Sequence, residues 1–145
     1  MIINILFWIL ALIPATQNAD QFPTLNGMDS QDHKVVMQVT QADSVNQLAV
    51  VGQIQNLLKA LPNVQIEVVC HSQGLPLLIS SQSIVKSNIS ELQKKGVVFA
   101  ACENTMRKNK VEKSELIPGT ITVPSGLGEI ILKQEEGWTY IKAGI

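Results

Sequence analysis

Two short segments hold the side chains of this chain that could do chemistry: Cys102-Glu103-Asn104-Thr105-Met106-Arg107 and Cys70-His71-Ser72-Gln73-Gly74. Each follows an apolar run, so each falls at the end of a strand. Cys102 is the sharper candidate. It stands where Val97-Val-Phe-Ala-Ala meets a polar segment of helical character, with Arg107 and Lys108 within about one turn. Helix amides and nearby cations favour a thiolate over the free thiol, whose pKa lies near ~8.5. A thiolate is a nucleophile and a sulfur acceptor; a buried neutral thiol is neither. The competing reading makes Cys102 a small apolar strand residue like Ala100 and Ala101. Cys70 continues Val68-Val69 and reads as core. His71, in a loop with Ser72 and Gly74, is either a proton donor or anion contact, or a solvated loop histidine. Asn104 and Arg107 complete the polar surroundings expected of Cys102.

Other chemistries find less support. Two cysteines and two histidines occur without the short ligand pairs of structural zinc, so no metal is expected. Pro124-Ser-Gly-Leu-Gly128 lacks the G-x-G-x-x-G and G-K-[ST] patterns of phosphate loops and reads as a strand-to-helix turn with a serine cap. No Ser/His/Asp set assembles, Glu135-Glu136 reads as a solvated helix end, and no cofactor is expected. Eleven basic against twelve acidic residues give no electrostatic reason to expect nucleic acid. The 46% hydrophobic share, with a net charge of −1, excludes intrinsic disorder and suits one domain of 145 residues.

The elements that must position these residues alternate. Lys34–Thr40 is a first strand. A helix capped by Asp43 or Ser44 runs to about Ala60, with Leu48, Val51, Ile54, Leu58 and Leu61 on its buried face. Val64–Cys70 is the second strand, and Leu75–Ile79 a helical turn. Asn88 and Glu91 form a capping box for a short helix through Lys95, stopped by Gly96. Val97–Cys102 is the third strand and Glu103–Lys110 a helix. Gly119–Val123 is the fourth strand, Ser125 opens a helix through Gln134, and Trp138–Lys142 is the last strand. This rhythm predicts an α/β, three-layer, flavodoxin-like domain with a five-stranded, mainly parallel sheet in the order 2-1-3-4-5. That order places the first strand between the two cysteines, with their α-carbons about 9–10 Å apart, too far for a disulfide.

Residues 1–19 differ from all of this. They carry no charge, although the chain has 23 charged side chains, and the apolar run Ile2–Ile13 has the length of a signal-peptide core. The expectation is a secretory signal cleaved near Ala19, with no stable membrane span afterwards; the alternative is a membrane anchor. Residues 20–32 read as an irregular lead-in. The mature protein would then be exported, in a periplasmic setting.

The runs His33-Lys-Val-Val-Met-Gln-Val, Val-Val-Cys-His-Ser-Gln-Gly-Leu and above all Val97-Val-Phe-Ala-Ala-Cys102-Glu-Asn-Thr-Met106 resemble the DsrE/DsrF-like proteins over residues 33–145. Leu116-Ile-Pro-Gly119 adds to the likeness, which is strongest with the smaller single-subunit branch related to the sulfur-relay subunits DsrE and TusD. The resemblance implies homo-oligomers, trimers or hexamers, and a cysteine at the end of the third strand that carries a persulfide in relay members. It matches that cysteine to Cys102. It also implies a histidine after the second strand, here His71, although the usual His-Gly start is here His71-Ser72.

Two functions are thus expected as rivals. One is a sulfur carrier or sulfurtransferase working through Cys102, with His71, Asn104 and Arg107 in support and a sulfur donor or acceptor protein as partner. The other is a non-catalytic oligomeric module that binds a small ligand or partner through the same crevice. A nucleotide- or flavin-binding role rests on fold analogy alone.

Overall fold

The computed structural model describes residues 32–145. The expectations for residues 1–19, and for nearly all of the lead-in, lie outside the described residues. Five strands form one wholly parallel sheet: β1 (Lys34–Gln41), β2 (Gln65–Gln73), β3 (Val98–Cys102), β4 (Ile121–Val123) and β5 (Thr139–Lys142). The helices are α1 (Ser44–Ala60), α2 (Lys86–Lys94), α3 (Glu103–Asn109) and α4 (Gly126–Glu135), with a 3-10 turn at Leu75–Leu78.

The α/β class and parallel sheet are as expected; the strand order is not. The order is β4-β3-β2-β1-β5 rather than 2-1-3-4-5. The physical reason lies in which face each helix covers. Right-handed crossovers tie the face a helix occupies to the direction in which the sheet grows. Val50, Val51 and Ile54 of α1, Ile89 and Leu92 of α2, and Met106 of α3 share one core with Val35, Met37, Val68 and Phe99. Three helices on one face carry the chain in one direction from β1 to β4. Ile130 of α4 packs on the opposite face with Val36, Val69, Ala100 and Val123. Travel on that face runs backward, so β5 lands beside β1.

Local details shift for packing reasons. Asp43 caps α1, accepting from the N–H groups of Val45 and Asn46 at 3.1 Å. Leu48, expected inside, is 61% exposed. Gln47 is buried instead, its amide donating to the Ala42 carbonyl at 2.8 Å and accepting from Ile84 N–H at 2.9 Å. The Asn88 capping box does not form, because α2 starts earlier, with the Ile89 N–H bonded to the Val85 carbonyl at 3.0 Å. Val85 and Ile89, one turn apart and both fully buried, fix that start.

Candidate functional site

Ligands of open α/β sheets gather beyond the carboxyl ends of the strands, where neighbouring connections leave toward opposite faces. Here that place lies between β3 and β4, since β3 feeds α3 on the helix-rich face and β4 feeds α4 on the other. Cys102 closes β3, and Ser125-Gly126 follows β4. The Gly126 N–H donates to Cys102 Sγ at 3.2 Å. Ser125 caps α4, its Oγ accepting from Gly128 N–H at 3.2 Å, and so holds the turn that aims the Gly126 amide. A side chain at Gly126 would meet His71 Cβ at 3.1 Å and Cys102 Cβ at 3.3 Å, so glycine lets the two strand ends and α4 close together.

Cys102 is buried, at 4% exposure. Burial alone would raise its pKa, and it is the largest single influence. The Thr105 hydroxyl and the backbone N–H groups of Gly126, Thr105 and Asn104 together outweigh it and hold the thiol below its ordinary value. Cys70 has no such donors, and burial pushes its pKa far up. The strand order makes β2 and β3 neighbours, with Cys70 opposite Ala101, which corrects the expected separation of the two cysteines by β1. Alternation still parts them. Cys70 points into the helix-rich core while Cys102, two residues from Ala100, faces α4. Both thiols are free.

His71 lies within β2 rather than in a loop, and it is largely buried. Its Nε2 is 2.8 Å from Gln38 Nε2 and its Nδ1 is 2.9 Å from Ser72 Oγ. Burial lowers its pKa, so the ring is neutral near pH 7. Ser72 takes a left-handed backbone with φ of 54°, the region where glycine is at ease. Glycine, which the resemblance leads one to expect here, would take this backbone without steric cost. With serine here, the side chain recovers part of the cost through its bond to His71. The Ser72 N–H in turn donates to Thr105 Oγ1 at 3.1 Å.

Asn104 and Arg107 take different places from those expected. Their side chains bond to each other at the surface, the guanidinium donating to Asn104 Oδ1. Arg107 also stands 4.0 Å from Glu103, which is held by the Thr122 hydroxyl at 2.7 Å and by Lys113 at 3.3 Å. The Asn104 backbone N–H is a minor influence lowering the Cys102 pKa, and Arg107 lines a separate groove with Lys110 and Lys113. Sequence reasoning missed Thr105, Gly126, Gln38 and Tyr140. Thr105 carried a signal, since a residue three beyond a helix cap can bond back to it. Gln38 carried another, as a polar residue between Met37 and Val39. An open groove of about 560 Å³ is lined by Ser72, Gln73, Pro76, Asn104, Thr105, Lys108 and Asn109, without Cys102.

Among the described residues, no three His, Cys, Asp or Glu side chains gather to hold a metal ion. Among them also, no helix is long and apolar enough to cross a membrane. No curated protein matches the chain. A solved structure titled as a protein of unknown function, MTH1491 from Methanobacterium thermoautotrophicum, superposes with a TM-score of 0.73 at 37% identity. That match covers 77% of this chain and 99% of the other. The family model described as DsrE/DsrF-like matches residues 30–143, taking in all five strands and both cysteines, and the chain belongs to that family.

Proposed function

We propose that this protein handles sulfane sulfur, with Cys102 as the nucleophile that takes it up as a persulfide. The observation that carries the reading is the Gly126 N–H, which donates to Cys102 Sγ at 3.2 Å where β3 and β4 end, beside a Thr105 hydroxyl that helps to lower the pKa of the thiol. In the step, the Cys102 thiolate attacks the terminal sulfur of a persulfide donor, R–S–SH. A new S–S bond forms to Cys102, the donor's S–S bond breaks, and its electron pair leaves with RS⁻. The sulfur keeps its oxidation level, so no outside oxidant is consumed. His71 is a neutral neighbour of the sulfur in this reading, and Asn104 contributes its backbone amide. The likeness to sulfur-relay members of the family supports the same chemistry.

The test is mass spectrometry after incubation with inorganic polysulfide. The native chain and Cys70→Ala are expected to gain one sulfur atom, and Cys102→Ala none. A gain that persists in Cys102→Ala would move the site elsewhere. No gain on the native chain would favour the rival reading, a ligand-binding domain with an inert cysteine, which the burial of Sγ favours.

Self-association belongs to the same proposal. Parallel sheets are normally covered on both faces. Among the described residues α4 is the one helix on one of them, and Val98, Ile121, Leu127, Ile131, Leu132 and Tyr140 on that side are 38–57% exposed. A second copy would cover this surface, in the trimers or hexamers that the family likeness implies. Export rests on the uncharged residues 1–19, and N-terminal sequencing of the secreted protein tests it.

A further inference from the structure

A continuous line of hydrogen bonds crosses three strands and ends at Thr105, three residues beyond Cys102. It begins at Tyr140 of β5, whose hydroxyl donates to Gln38 Oε1 of β1. With its oxygen taken, the Gln38 amide turns its NH₂ to His71 of β2, the two nitrogens being 2.8 Å apart. In this orientation the Gln38 NH₂ donates, which makes His71 Nε2 the bare nitrogen and puts the proton on Nδ1. Nδ1–H then donates to Ser72 Oγ at 2.9 Å. That bond secures Ser72 in its left-handed backbone, which aims the Ser72 N–H at Thr105 Oγ1, 3.1 Å away. A hydroxyl that accepts from Ser72 keeps its one proton free to give, and this hydroxyl, three residues from Cys102, helps to lower the pKa of the thiol.

We propose that Gln38 and Tyr140 are positioning residues for Cys102: they fix His71 as the Nδ1–H tautomer and so set the direction of every donor down to Thr105. The inference rests on the reading of Cys102 as a thiolate nucleophile. Neither residue touches the sulfur. Their effect passes through the tautomer of one ring and the backbone of one serine. The reversed tautomer would set an Nε2–H against the Gln38 NH₂ and leave Nδ1 an acceptor, so that Ser72 Oγ would have to donate. Facing the ring are Gln38 from β1, Ser72 from its own strand, and Gly126, which stands between it and Cys102. Tyr140 lies behind Gln38, and Lys142 stands in register with Gln38 on β5.

The experiment combines two readouts on the full chain. Nitrogen-15 NMR of the imidazoles, with the His71 signals assigned by their loss in His71→Asn, reports the tautomer. The pH profile of iodoacetamide alkylation, in a Cys70→Ala background, reports the thiolate. The native His71 is expected as Nδ1–H. Tyr140→Phe, which removes one partly exposed oxygen and leaves the packing intact, is expected to raise the Nε2–H population. It should also move the alkylation midpoint up by about half a pKa unit, a threefold change in the ionisation constant. Gln38→Leu should move it further, and Gln38→Glu, which cannot donate to Nε2, should not rescue it. A native Nε2–H tautomer, or variants with the native midpoint, overturns the proposal while the thiolate reading stands. A native midpoint at the ordinary cysteine value overturns the thiolate reading and this proposal with it.

Discussion

Replacing Thr105 by valine is the most revealing perturbation near Cys102, because it keeps the side chain's size and removes only the hydroxyl. In the native chain that hydroxyl accepts from Ser72 N–H at 3.1 Å and is among the causes that lower the pKa of Cys102. A hydrogen bond to a charged group contributes about 1.5–3 kcal/mol. One pKa unit corresponds to about 1.4 kcal/mol, so the Cys102 midpoint should rise by about one to two units. The backbone N–H groups of Gly126, Thr105 and Asn104 remain and limit the rise. The rate at neutral pH should fall less than the thiolate fraction does. A more basic thiolate is the better nucleophile, with a Brønsted slope of about 0.4–0.5, so a fall of roughly three- to tenfold is expected. The assay is the pH profile of iodoacetamide alkylation in a Cys70→Ala background. Thr105→Ser, which restores the hydroxyl, should return the midpoint to within a few tenths of a unit. A valine variant that titrates with the native chain would refute the assignment of Thr105 as a donor.

Further outcomes follow from the same geometry. Ser72→Gly relieves a left-handed backbone worth about 1 kcal/mol while losing the bond to His71, whereas Ser72→Ala loses the bond and keeps the strain. The glycine variant should therefore be the more stable of the two by about 1 kcal/mol in urea unfolding, and equal midpoints would contradict the strain. Lys133 pairs with the buried Glu67 at 3.0 Å and lies 4.6 Å from the Trp138 ring centre. Burial holds the Glu67 pKa above the usual carboxylate range even with Lys133 in place. Folding therefore favours protonated Glu67, and its contribution to stability falls as pH rises from the ordinary carboxylate value through the raised one. Lys133→Met should widen that window and cost about 3 kcal/mol at pH 7, with the deficit closing below pH ~4. A deficit independent of pH would show that Glu67 is not the cause. Native Cys70 should resist alkylation until the chain unfolds, and a labelled Cys70 in the folded protein would contradict its burial among aliphatics. Ile131→Asp, on the exposed side of α4, should shift the assembly toward monomer in size-exclusion with light scattering, and a native chain already monomeric would remove the basis for self-association.

The elements were legible because short-range chemistry decides them. Asp43 caps α1, Ser125 caps α4, and Gly96, with φ of 89°, ends the turn after α2. The position of Cys102 at a strand end was legible for the same reason, since a wholly apolar run stops there. What was not legible depends on packing between distant segments. Leu48 looks internal by spacing, but Gln47 is drawn inside by carbonyls at Ala42 and Gln82 that spacing does not reveal. The strand order turned on the face that α4 covers, and α4 buries little more than Gly126 and Ile130. The groups that lower the Cys102 pKa include β4's turn and Thr105, and the line behind His71 runs through β1 and β5. No local pattern joins Tyr140 to Gln38, 102 residues apart. Arg107 looked like the cation for the thiolate because it is near in sequence, yet Glu103 and Asn104 hold it at the surface.

The most direct measurement is the ultraviolet absorbance of the thiolate as a function of pH in the folded native chain, with Cys102→Ala as the blank. A single ionisation with its midpoint below the ~8.5 of an ordinary cysteine, absent from the blank, is the expected result. A midpoint at or above that value would mean that burial outweighs the hydrogen bonds on the sulfur, and Cys102 would be a core residue rather than a nucleophile.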